Sequence, residues 1–307
     1  MALLCLLGGA LGAVHGLRAR PLMMSADVSR LSAVAPIFDW VASHGGDVSR
    51  VRVSETSAMG LGLEAAKPTR RGDVLLSVPE SLAITAESAL RSEILGPYLA
   101  EFEPELADYS FIAVALLNEE RLGDQSPLSL WLSSASRSIT DDLPLLWDKD
   151  AQAELEQSTA APFAERRASA QTDFAWLQEN VFDQAPMVFP SSVFSESQFL
   201  RALSEAISRS VYVQPDSSDE PARLALMPLL ELTNHAAEPS ATVSFCSASP
   251  GFLGRGESPA TVQLLAVGDV AEGQPVYTKY ADATQGELLV DYGFISEPVR
   301  PYFELKQ

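Results

Sequence analysis

The sequence predicts an α+β fold in which two β-rich parts flank a long helical insertion. Short strand-like segments bounded by Gly and Pro occupy the chain before about residue 85 and return after about residue 210. From about residue 85 to residue 203, apolar residues instead recur at helical spacing. A chain of 307 residues with 47% hydrophobic and 20% charged residues can bury a sizeable core. We therefore expect one large domain over residues 36–296.

The first elements predicted are a helix and three strands. Between residues 34 and 43, apolar side chains recur at i, i+3, i+4 and i+7, which predicts an amphipathic helix that ends at Gly45-Gly46. Alternating or small apolar residues predict strands at 51–53, 58–66 and 74–79. Pro and Gly residues mark the turns between them, so this part of the chain is mainly β.

The insertion is predicted to be helical throughout. Apolar residues at 106–117 have helical spacing, and residues 154–182 are rich in Ala, Glu, Gln and Arg. Ser195-Glu-Ser-Gln198 is a capping-box pattern that starts the last helix. Trp131 and Trp176 are interpreted as core anchors rather than as ligand-stacking residues.

Two segments of the second β-rich part carry most of the chemistry. The first, residues 226–235, runs from an apolar stretch into Asn234 and His235, whose side chains are rich in hydrogen-bonding capacity. The second, residues 280–294, passes from a strand end through a short helical turn to Tyr292-Gly-Phe294. The other strands of this part are predicted at 242–247, 261–267 and 274–280.

Charge and cysteine content exclude several functions. A formal net charge of −20 argues against nucleic-acid binding, which needs a dense Lys/Arg surface, and favours basic over acidic substrates. Two cysteines, Cys5 and Cys246, cannot form a disulfide framework or a Cys-ligated zinc site. Cys246 is interpreted as a small core residue. No metal site is predicted.

The N-terminus predicts a targeting signal. Residues 1–14 are an uncharged apolar run too short to span a bilayer comfortably, and a basic, acid-poor stretch follows. We interpret residues 1–22 as a cleavable segment of the kind used where plastid import begins at the endoplasmic reticulum. Secretion without plastid import is the alternative. No other segment is a transmembrane candidate, so the mature protein is expected to be soluble.

The two chemical segments resemble the C-terminal half of a SET domain, and more narrowly the family of the plant Rubisco large-subunit methyltransferase. The resemblance rests on Asn234-His235, Tyr280, Glu287-Leu-Leu289 and Tyr292-Gly-Phe294. It implies a β-rich SET fold with a knotted-type C-terminal half and a long helical insertion. The sequence departs from the family pattern at three positions: Glu231 for Asp, Ala281 for Gly and Gln285 for Asn.

The resemblance implies S-adenosylmethionine as cofactor. Glycines let a backbone approach a flat ligand closely, and the segment that contacts the cofactor in this family aligns with Met59, Gly60 and Leu61. Arg209 matches an Arg that reaches the cofactor carboxylate and the active site. Asn234 is expected to hydrogen-bond the cofactor, and His235 to contribute backbone contacts to the adenine without acid/base work.

The resemblance also implies transfer of a methyl group to the ε-amine of a protein lysine, with Tyr292 as the catalytic residue. The amine must be neutral, although its unperturbed pKa is near 10.4, so the protein has to desolvate and position it. A tyrosine hydroxyl can donate or accept a hydrogen bond while staying neutral near pH 7. The expected substrate-binding residues are Arg209, Glu231, Tyr280 and Tyr292.

Two alternatives to lysine methylation remain open. Protein-histidine N-methylation is known in the same wider family. A catalytically silent SET-like interaction module is the other, because of Ala281, Gln285 and the family's helical C-terminal substrate-binding domain, which residues 297–307 are too few to form. The expected partner is a lysine-bearing protein, such as a protein of the plastid to which the targeting signal points. The chain is expected to be a monomer.

Overall fold

The computed structural model describes residues 27–56, 59–101, 106–134, 143–157, 162–214, 221–248, 259–296 and 299–301. The predicted targeting segment, residues 1–22, lies outside these residues. The described chain contains helices and sheets in the predicted order, so the α+β prediction is confirmed. Within the described ranges, no helix is long and apolar enough to cross a membrane. No His/Cys/Asp/Glu group suited to a metal ion occurs in them either.

The first element of the described chain is helix α1, Asp27–Ser43, which starts earlier than predicted and ends as predicted. Val34, Ile37 and Val41 are buried on its inner face, as the apolar spacing indicated. Strands β1 (Val51–Thr56), β2 (Gly60–Ala65) and β3 (Val74–Pro79) follow. These elements match the predicted strands, with shifts confined to their ends.

Seven helices of the described chain separate β3 from β4. They are α2 Ala86–Arg91, α3 Gly96–Leu99, α4 Asp108–Leu122, α5 Ser129–Leu132, α6 Lys149–Glu156, α7 Phe163–Leu177 and α8 Glu196–Arg209. The Ser195 side chain accepts the Gln198 N–H at the start of α8, as the capping pattern predicted. Helix α8 ends at Arg209, a few residues after the approximate bound of the insertion at residue 203.

The remaining elements form the second β-rich part. They are β4 Val211–Val213, β5 Arg223–Ala225, β6 Asn234–His235, β7 Ala241–Cys246, β8 Thr261–Ala266, β9 Pro275–Thr278, α9 Gln285–Tyr292, β10 Phe294–Ser296 and β11 Val299–Pro301. The strands form sheets in the orders β1-β2-β9-β6 and β3-β8-β7, with two-stranded sheets β4-β5 and β10-β11. Strands distant in sequence thus become neighbours in the first two sheets.

A continuous apolar core joins the insertion to the sheets. Trp131 is fully buried and Trp176 packs partly buried against the core, so both are core residues as predicted. Phe174, Phe182 and Phe199 form an aromatic cluster inside the insertion, with ring centroids 5.7 to 6.3 Å apart. The helices are therefore anchored to the same core as the strands.

One sequence-based interpretation is wrong. Cys246 is exposed rather than a core residue, because it is the last residue of β7, an outer strand of its sheet. Residues 297–307 are predicted to be a short tail after the SET domain. Within this segment, Val299–Pro301 form β11, which pairs antiparallel with β10.

Candidate active site

The segment 226–235 makes a strained turn before it reaches β6. Leu229 is buried and has φ 65°, a left-handed conformation that leucine rarely adopts, and it is the only non-glycine residue of the described chain with positive φ. The short 3-10 turn Leu230–Leu232 follows it directly. Asn234 and His235 then pair in parallel with β9, opposite Tyr277 and Thr278. The strain therefore lies where the chain turns to present these two residues.

Asn234 joins the two segments expected to bind the cofactor. Its side-chain Nδ2 donates a 3.2 Å hydrogen bond to the carbonyl oxygen of Leu61, 173 residues away. A Cβ atom added at Gly62 would lie 2.5 Å from Asn234 Nδ2. Gly62 is therefore needed for the approach of a protein side chain, which is a different role from the close approach to a ligand predicted for this glycine-rich segment.

His235 is a buried structural residue. Its Nδ1 accepts the backbone N–H of Tyr280 at 3.2 Å, and its ring lies 5.3 Å from the Tyr280 ring. Burial, followed by repulsion from Lys279, lowers the pKa of His235 from 6.5. A neutral His235 therefore orients the Tyr280 backbone, which agrees with the expectation that its side chain does no acid/base work.

Protonation of His235 is expected to destabilise the fold. Because the folded-state pKa of His235 lies below 6.5, its contribution to the free energy of unfolding should be constant above that pH. This contribution should fall as the pH drops from 6.5 towards the lowered pKa. Denaturant titrations between pH 7 and pH 5 measure this effect. His235→Gln, which can still accept a hydrogen bond without titrating, should reduce the fall, whereas His44→Gln at an exposed site should not. Equal pH profiles for native protein and His235→Gln would refute this role.

Tyr280 and Tyr292 stack at the ends of the second chemical segment. Their ring centroids lie 4.7 Å apart with an interplanar angle of 36°. The Tyr280 hydroxyl donates to the carbonyl oxygen of Thr233 at 2.9 Å. Burial raises the pKa of Tyr280 to about 12 and also raises the pKa of Tyr292 above its usual range. Both hydroxyls are therefore protonated near neutral pH and suited to hydrogen bonding.

Helix α9 holds Tyr292 at its last position. Thr284 and Glu287 form a capping box at its start, and Gly293 ends it in a left-handed conformation with φ 78°. These two signals lie in the sequence around Glu287-Leu-Leu289. They explain why a short helix forms there and why the chain turns sharply after Tyr292.

The helical insertion contacts residues near this tyrosine pair through charged and aromatic side chains. Arg166 on α7 donates two hydrogen bonds to the Asp291 carboxylate, each of 2.8 Å. The hydroxyl oxygens of Tyr109 and Tyr212 lie 3.1 Å apart, and burial raises the pKa of Tyr109. Asp291 immediately precedes Tyr292, so the insertion holds the end of α9 directly.

A cavity of about 280 Å³ adjoins Tyr280. Its lining includes Arg209, Glu231 and Tyr280, which were predicted from the sequence, and also Thr233 and Lys279. Tyr292 is not among the described residues that line this cavity. Its ring contacts the ring of Tyr280, which does line the cavity. Three of the four residues expected to bind substrate therefore meet at one cavity.

Polar groups around the cavity differ in whether they already have hydrogen-bond partners. Glu231 is buried, and Trp131 Nε1 donates to both of its carboxylate oxygens at 2.8 Å. The buried hydroxyl oxygens of Ser210 and Thr233, two lining residues, have no hydrogen-bond partner among the described residues. Unsatisfied hydroxyls and the Arg209 guanidinium give this region spare hydrogen-bonding capacity of the kind that a polar ligand uses.

These residues fit S-adenosylmethionine, whose carboxylate, amine and ribose hydroxyls require both donors and acceptors. Arg209 lines the cavity as a cationic donor, and the orphaned hydroxyls lie in the same lining. Leu61 lies in β2, and Asn234 and His235 lie in β6 of the same sheet, where β9 separates the two strands. The hydrogen bond from Asn234 to the Leu61 carbonyl oxygen nevertheless joins them. Met59 and Gly60 lie at the hairpin end of β2, where Gly60 has φ 69°.

Four residues of this region were not identified from the sequence: Tyr109, Trp131 as a partner of Glu231, Arg166 and Asp291. Asp291 immediately precedes Tyr292 in the sequence, and this adjacency was the one signal that could have identified it. The other three belong to the insertion, and their partners lie between 100 and 125 residues later in the chain. No local pattern indicates such contacts.

Comparisons with known proteins show what the chain is similar to. It is 27% identical over 244 residues to mouse SET domain-containing protein 4, covering 77% of this chain and 52% of that protein. It is 27% identical over 282 residues to a chloroplastic [fructose-bisphosphate aldolase]-lysine N-methyltransferase of Arabidopsis thaliana, covering 89% of this chain and 54% of that one. No family model matches.

The fold is also similar to a solved structure, the SET domain of LSMT bound to lysine and AdoHcy. The TM-score is 0.67 at 24% identity, over 87% of this chain and 58% of that one. The chain thus has the SET fold, and its relatives are SET-domain methyltransferases. It spans about half the length of the curated relatives it matches.

Proposed function

We propose that this SET-fold chain is an S-adenosylmethionine-dependent protein-lysine N-methyltransferase. The hydrogen bond from Asn234 to Leu61 carries the proposal, because it joins the two segments expected to bind the cofactor beside the Tyr280–Tyr292 pair. Relatives named as lysine methyltransferases support the same activity. We propose Met59, Gly60, Leu61, Arg209, Asn234 and His235 as cofactor-binding residues.

The residues around the cavity can prepare a lysine amine for methylation. Bound S-adenosylmethionine supplies the methyl group and a positive charge. The protein removes water from the amine and holds it in line, which favours the neutral form that can react. Tyr292 is the proposed catalytic residue, and Arg209, Glu231 and Tyr280 are proposed to contact substrate. Since Tyr280 lines the cavity and Tyr292 does not, Tyr280 is a second candidate for the catalytic hydroxyl.

The proposed partner is a protein that presents a lysine. The chloroplastic relative supports a plastid location, with the secretory pathway as the alternative. We propose that the chain acts as a monomer, without nucleic acid and without a membrane in its mature form.

Methyl transfer from radiolabelled S-adenosylmethionine to proteins of a source-cell extract tests the function. Label that appears with native chain and is lost when the tyrosine pair is changed to phenylalanine supports the proposal and identifies the substrate. Mapping the methylated residue then separates lysine from histidine acceptors. No label together with no cofactor binding by calorimetry would instead favour the silent interaction module.

Asn234→Ala is expected to weaken cofactor binding by about 1–3 kcal/mol, because it removes a partly buried hydrogen-bonding side chain beside Leu61. Gly62→Ala should act in the same direction, since its methyl group would displace Asn234 Nδ2. Calorimetry with S-adenosylhomocysteine measures both. Gly268→Ala, where a Cβ meets nothing within 4 Å, is the matched control. An unchanged dissociation constant in Asn234→Ala would count against its cofactor contact.

A further inference from the structure

Lys279 is one of few lysines in an acidic protein. The chain has a formal net charge of −20 and four lysines, Lys67, Lys149, Lys279 and Lys306. Lys279 lies immediately before Tyr280 and lines the cavity, with 46% of its side chain exposed. A cation has therefore been placed at the candidate site of an otherwise acidic chain.

The charged groups of the cavity differ in how readily they can change partner. Glu231 is buried and receives both Trp131 hydrogen bonds, so its carboxylate is already engaged. Lys279 instead pairs with Asp282, three residues later, whose side chain is 91% exposed. Ion pairs between exposed side chains are weak and are screened by salt. The ammonium of Lys279 can therefore exchange Asp282 for another carboxylate at little cost.

We propose that Lys279 determines substrate specificity by binding an acidic side chain next to the target residue, with Asp282 occupying that position in the free protein. This inference rests on the proposed methyltransferase function. Lys279 and Tyr280 are consecutive residues that line the same cavity. A target amine bound near Tyr280 would therefore place flanking side chains of the substrate on the side of the molecule where Lys279 is exposed. The preferred substrate is thus acidic beside the target, although the overall charge of the chain alone favours basic partners.

The test uses lysine-centred peptides that are identical except for Asp, Ala or Arg beside the lysine. Binding to the full chain is measured by fluorescence anisotropy with S-adenosylhomocysteine present, and methyl transfer is measured separately. Native protein should bind the Asp peptide about fivefold more tightly than the Arg peptide. Lys279→Glu should reverse that order, and Asp282→Asn should strengthen binding of the Asp peptide. Lys67→Glu, at an exposed site outside the cavity lining, should keep the native order.

The outcomes separate this inference from the proposed function. A preference for the Asp peptide in binding, without methyl transfer, supports the role of Lys279 and contradicts the enzymatic function. Methyl transfer without any preference between peptides supports the enzymatic function and contradicts the role of Lys279. If Lys279→Glu weakens S-adenosylhomocysteine binding and leaves the peptide order unchanged, Lys279 binds the cofactor carboxylate and the inference is wrong. Binding of no peptide would overturn it as well.

Discussion

Tyr292→Phe is expected to lower kcat about a hundredfold while leaving S-adenosylhomocysteine binding nearly unchanged. The substitution removes one hydroxyl from a closely packed ring pair, and small losses of alignment at a reacting centre can have effects of this size. The ring itself and its contacts with Tyr280 and Phe294 are kept. Methyl-transfer kinetics and calorimetry on the same protein preparation measure the two quantities.

Tyr280→Phe is the necessary companion variant. Its hydroxyl donates to the Thr233 carbonyl and belongs to a residue that lines the cavity. A loss of kcat in Tyr280→Phe with native kcat in Tyr292→Phe would transfer the catalytic role to Tyr280. Tyr98→Phe, in a ring contact with Phe189 within the insertion, controls for the loss of a hydroxyl elsewhere. Native kcat in both site variants would refute a catalytic tyrosine.

Arg166→Ala is expected to destabilise the fold by about 2 kcal/mol and to lower kcat as well. It leaves the partly buried Asp291 carboxylate without the two hydrogen bonds from the Arg166 guanidinium, each of 2.8 Å. Burial already raises the pKa of Asp291, and the nearby Arg166 opposes that rise. The position of the adjacent Tyr292 should therefore become less well defined.

Chemical denaturation and methyl-transfer kinetics measure the two effects of Arg166→Ala. The exchanged pair Arg166→Asp with Asp291→Arg should recover part of both losses, because it restores opposite charges at the same positions. Arg167→Ala is the matched control, since Arg167 pairs with Glu156 within the insertion. A fall in stability with native kcat would mean that the pair supports the fold and does not position Tyr292.

Local chemistry made several elements predictable from the sequence. The apolar spacing of Val34, Ile37 and Val41 identified the buried face of α1, because 3.6-residue periodicity places them on one side of a helix. Asn234 and His235 are predicted as site residues through a resemblance that they and their neighbours carry. Their hydrogen-bond partners were not predicted, because neither Leu61 nor Tyr280 is close to them in sequence.

Sheet topology, rather than local pattern, decided the exposure of Cys246 and the pairing of the last described strand. Cys246 lies in an apolar stretch, but the outer position of β7 leaves it exposed. The short segment Val299–Pro301 has little pattern of its own and becomes a strand by pairing with β10. Pairing partners and sheet edges depend on the whole topology.

The sequence by itself determined the α+β class and the order of strands and helices, and it predicted which residues carry the chemistry. Periodicity, capping and turn residues act within a few positions of the chain, and a short sequence is enough to show them. The tertiary structure alone decided that Arg166 holds Asp291, that Trp131 binds Glu231 and that Lys279 lines the cavity beside Tyr280. These contacts join residues brought together by packing of a shared core, and no local pattern encodes which surfaces that core brings into contact.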